Sequence, residues 1–66
     1  MDIDRILEPF RARPFRPFSI VTTSGETHLV TTPEHLAVDP DGQVLVFFGG
    51  GGAHAIIEVR EVARIA

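Results

Sequence analysis

The sequence predicts a mainly β domain with one short N-terminal helix, folded as a small, strongly bent antiparallel sheet or a five-stranded barrel. Three observations carry this expectation. Beyond Phe18 the 66-residue chain breaks into short β-patterned runs divided by the turn signals Ser24-Gly25, Asp39-Pro40-Asp41-Gly42 and the four glycines at 49–52. Helical periodicity is confined to the first ten residues. The length allows one domain, and short strands joined by tight turns in so small a chain curl or close on themselves. The expected organisation is a helix over residues 1–10, a Pro/Arg connector over 11–17 and a sheet over 18–66.

Ile3, Ile6, Leu7 and Phe10 recur at helical spacing, and Asp2 or Asp4 can cap the first turn. Pro9 removes the hydrogen bond to Arg5 and clashes with that carbonyl, so the helix is expected to end near Glu8 or to kink there. So short a helix is unstable alone and must dock. The connector follows within FRARPFRPF (residues 10–18), where Pro14 and Pro17 hold Arg13 and Arg16 in extended conformations.

Phe18-Ser19-Ile20-Val21-Thr22 and residues 27–31 read as a hairpin around Ser24-Gly25. A two-residue loop would pair Ile20 with Leu29. A three-residue loop with Gly25 left-handed pairs Ile20 with His28 and Phe18 with Val30. The second register is preferred because it gathers Phe18, Ile20, His28 and Val30 on one face. Thr32-Pro33-Glu34-His35 reads as a single helical turn, with Thr32 as cap and Pro33 at its first position. Leu36-Ala37-Val38 is a short strand, Asp39-Pro40-Asp41-Gly42 a turn, and residues 43–48 the strongest strand. The glycines at 49–52 turn the chain into residues 53–59. A tight turn at Val59-Arg60-Glu61 precedes a last strand over residues 62–65.

Val44-Leu45-Val46-Phe47-Phe48 is apolar at every position, whereas a strand with one wet face alternates. Both of its faces are therefore expected to be covered, one by the core and the other by the helix or a second subunit. Leu45 and Phe47 are the residues assigned to self-association on this ground. The expectation suits a chain this small, which buries only about 60% of the surface its unfolded form exposes. Such chains add disulfides, metals or partner subunits. This one has no cysteine, which excludes disulfides and thiolate zinc sites.

The composition, 44% hydrophobic and 23% charged, is that of a folded soluble chain. The net charge is −3, and every basic side chain is arginine. No apolar run approaches the roughly 20 residues that span a bilayer. The acidic start MDIDRILEPF lacks the basic and apolar regions of a signal peptide, so a cytoplasmic location is expected.

Arg11, Arg13 and Arg16 beside Phe10, Phe15 and Phe18 are the candidate nucleic-acid site, since arginine pairs with phosphate and aromatic rings stack on bases. The opposing reading is architectural: phenylalanines in the core, prolines setting the path, arginines solvated. The acidic net charge favours the architectural one, because phosphate attraction supplies most non-specific affinity. His28, His35 and His54 have no close-spaced metal-ligand pattern. The glycine run joins two strands and lacks the Lys and Ser/Thr of a phosphate loop. Asp39 and Asp41 lack the later ligands of a calcium loop. Neither Ser19 nor Ser24 sits in a nucleophile elbow. The chain is accordingly expected to be non-enzymatic, without cofactor or metal.

RPFRPFSI, SGE, TTPEHLAV, DGQVLVFF and the closing EVARI together resemble a set of small bacterial proteins with an RPFRPF…PE-x-LAV pattern. The resemblance spans nearly the whole chain. Thr32 stands where that pattern has His before Pro33, and Ser24 where it has Asp before Gly25. The set has no assigned activity, so the resemblance implies a fold rather than a function. The order of elements also resembles, at the level of fold, the Sm-like RNA-binding rings, which assemble edge to edge from small bent barrels. The reading that follows is a self-associating interaction module, with RNA or single-stranded nucleic-acid binding as the alternative.

Overall fold

The computed structural model describes residues 1–66. Its elements run in the order α1 (Ile3–Arg11), β1 (Phe18–Thr22), β2 (Thr27–Val30), a 3-10 turn (Pro33–His35), β3 (Leu36–Val38), β4 (Val44–Gly50), β5 (Ala53–Glu58), a second 3-10 turn (Val59–Glu61) and β6 (Val62–Ile65). The strands form two antiparallel three-stranded sheets, ordered β2-β1-β6 and β3-β4-β5. The mainly β class with one short helix is as expected. The six strands fall on the six β-patterned runs of the sequence, and the two sheets are not closed into a barrel.

Corners explain the separation. Between β2 and β3 the ladder is interrupted by Pro33, which has no N–H to contribute, and by the 3-10 turn it opens. Between β5 and β6 the second 3-10 turn is pinned to both sides. The Val59 amide donates to the Gln43 carbonyl at 2.9 Å, and the Thr23 amide donates to the Glu61 carbonyl at 2.8 Å.

Asp2 caps α1 by accepting from the Asp4 amide at 3.1 Å. The helix runs through Pro9 to Arg11, so of the two outcomes expected at the proline, an end near Glu8 or a kink, it does not take the first. A proline inside a helix costs about 3 kcal/mol or more. Two features offset it here. Arg5, whose carbonyl loses its helical partner, is an exposed residue. Ile3, Ile6 and Phe10 all pack on the core, and the last of these lies beyond the proline.

The β1–β2 hairpin takes the three-residue register, with Phe18 opposite Val30 and Ile20 opposite His28. The Thr22 amide donates to the Glu26 carbonyl, and Gly25 closes the loop at φ +92°. The β3–β4 turn is stitched by Asp39, whose Oδ1 accepts from the Gln43 amide at 2.7 Å and the Val44 amide at 3.2 Å. At the β4–β5 hairpin, Gly50 pairs with Ala53, so the loop is two residues, Gly51-Gly52, shorter than the four-glycine turn expected. Both carry positive φ, the requirement of a twist-compatible hairpin turn.

One core serves both sheets. Phe18, Ile20, Val30 and Val62 enter it from the first sheet, Leu36, Leu45 and Ile57 from the second, Ile6 from the helix and Val59 from the corner.

Candidate functional site

Pairing in the second sheet decides which side chains face out. Leu36 lies opposite Phe47, Val38 opposite Leu45, and Leu45 opposite Ile57. These residues share the inner face, where Leu45 is fully buried and Phe47 packs against the core. Successive strand residues alternate faces, so Ala37, Val46, Phe48, His54 and Ile56 lie on the outer face. Leu45 and Phe47, assigned from sequence to self-association, are therefore corrected to core positions. The apolar second face exists, and its large apolar residues are Val44, Val46, Phe48 and Ile56.

Neither α1 nor the first sheet covers that face. Ile56 is 70% exposed and Phe48 43%, two of the three exposed large hydrophobic residues of the chain. One row across the sheet reads Ala37–Val46–Ile56 and the next reads Phe48–His54. The nearest charge on the face is Glu58, at the far end of β5, and Arg60 holds it at 3.2 Å. Sequence reasoning missed Ile56. The signal was the adjacent pair Ile56-Ile57, since two neighbouring strand residues cannot both face inward.

The connector divides differently from the sequence expectation. Arg11, Arg13 and Arg16 are all exposed, yet they do not converge. Arg11 lines a surface hollow with Leu7, Asp39 and Asp41. Arg13 and Arg16 line another with Glu8 and Pro9. Arg13 also donates to the Ala12 carbonyl at 2.7 Å and the Phe10 carbonyl at 3.2 Å, serving the end of the helix. Phe18 is only 5% exposed, and Phe15 is half-buried with its ring centroid 5.8 Å from that of Phe18. These two rings belong to the packing of the connector.

The three histidines are separate. His28 sits on the inner face of β2 with its ring 5.1 Å from that of Phe47 and its Nε2 3.6 Å from the Glu26 carboxylate. His35 Nδ1 and the Thr31 hydroxyl are 2.9 Å apart. His54 is exposed on the outer face, opposite Phe48. No three His, Asp or Glu side chains gather in a group able to hold a metal ion. No helix is long and apolar enough to cross a membrane.

Comparison with protein-family models, curated proteins and solved structures finds no match to this chain. What the fold and the surface define is a mainly β domain of two small antiparallel sheets with one apolar sheet face left uncovered.

Proposed function

We propose that the chain is a cytoplasmic, non-enzymatic interaction module that pairs with a second copy of itself through the outer face of β3-β4-β5. The observation that carries this reading is the exposure of Ile56 and Phe48 beside Val46 on a face without a charge at its centre. An identical partner can meet such a face about a two-fold axis, where every contact is made twice. A two-fold axis running along β4 lays β5 of one copy over β3 of the other, so Ile56 meets Ala37, large side chain on small. The bend at the two 3-10 corners supports treating the sheets as halves of a Sm-like small barrel, and the likeness to the small RPFRPF proteins is part of the same proposal.

Size sets the expected strength. Three strands about 4.8 Å apart and six residues long at about 3.3 Å each present a face of roughly 14 by 20 Å. Doubled, that is roughly 560 Å², below the roughly 1,000 Å² that stable specific interfaces clear, so the association expected is weak and transient. Sedimentation equilibrium from about 1 to 500 μM is the test, with affinities of this class falling inside that window. The expected result is a monomer–dimer equilibrium that Ile56→Asp abolishes while the circular dichroism spectrum stays unchanged. Monomer across the whole range overturns the reading.

One observation favours the alternative, nucleic-acid binding. No carboxylate occurs between Pro9 and Gly25, so Arg11, Arg13 and Arg16 form a basic stretch of sequence, although in space Arg11 lines a hollow with Asp39 and Asp41, and Arg13 and Arg16 line one with Glu8. The packed Phe15 and Phe18 weigh against base stacking there.

A further inference from the structure

We draw no further inference here: the strongest candidate, the free backbone edge of β5 beside the exposed Ile56, carries nothing, because nothing in the structure shows what covers it.

Discussion

Gly42 shows how a single turn residue ties the helix to the sheet. Its φ of +69° is left-handed, and a Cβ built there would stand 3.1 Å from Cγ1 of Ile3. Gly25 is also left-handed at +92°, but nothing lies within 4 Å of its Cβ position. The backbone term alone costs about 1–2 kcal/mol for a non-glycine residue. Gly42→Ala is therefore expected to destabilise more than Gly25→Ala, the excess being the displacement of Ile3. Urea denaturation of the two variants checks it, and equal losses would remove the role assigned to the Ile3 contact. The turn itself was legible, because Asp39-Pro40-Asp41-Gly42 combines a fixed φ with a permissive one. That Ile3 packs over Gly42 was not, since nothing local links residues 39 positions apart.

Among the elements, α1 best separates propensity from docking. Local chemistry argued for a stop or a kink near Glu8, and the helix does not stop there because Phe10 gains a place on the core beyond Pro9. Ile6 is the only helical residue fully buried, and truncating such a side chain costs about 2–5 kcal/mol. In a domain whose whole stability is of order 5–15 kcal/mol, Ile6→Ala is expected to lower the melting temperature sharply. Leu7→Ala, at a half-buried position outside the core cluster, is expected to lower it far less. Thermal melts followed by circular dichroism give the comparison, and similar losses at the two positions would place the docking contact elsewhere. The β1–β2 hairpin behaved oppositely to the helix. The sequence favours its register over the two-residue-loop alternative, because that register gathers Phe18, Ile20, His28 and Val30 on one face, and the structure has that pairing. Strand β4 could not be oriented that way, because five consecutive apolar residues look alike from either face.

At the scale of the whole molecule, charge is unevenly distributed along the chain. Residues 9–25 carry three arginines and no carboxylate, while the remainder carries all nine carboxylates and three arginines. If the arginine connector bound single-stranded nucleic acid, three phosphate contacts would give a log–log salt slope of about −2. The architectural reading expects no binding at 50 mM salt in fluorescence anisotropy with a labelled oligonucleotide. Saturable binding with that slope, lost on replacing Arg11, Arg13 and Arg16 by alanine, would establish the alternative instead. Arg13 alone has a structural task at the helix end, so its single replacement is expected to affect stability as well as any binding.

The sequence alone determined the class of fold, most strand positions, the hairpin register at Gly25 and the existence of an apolar face too large for one small core to absorb. Each of these depends on neighbours in the chain: alternation, turn chemistry, length. Tertiary structure decided which residues form that face, that the sheets remain separate at the Pro33 and Val59 corners, and that Phe18 belongs to packing. Those outcomes depend on pairing between distant strands, which fixes whether Val46 or Leu45 turns inward. The choice is settled by the partner Ile57 and the shared core, neither of which is visible within strand β4.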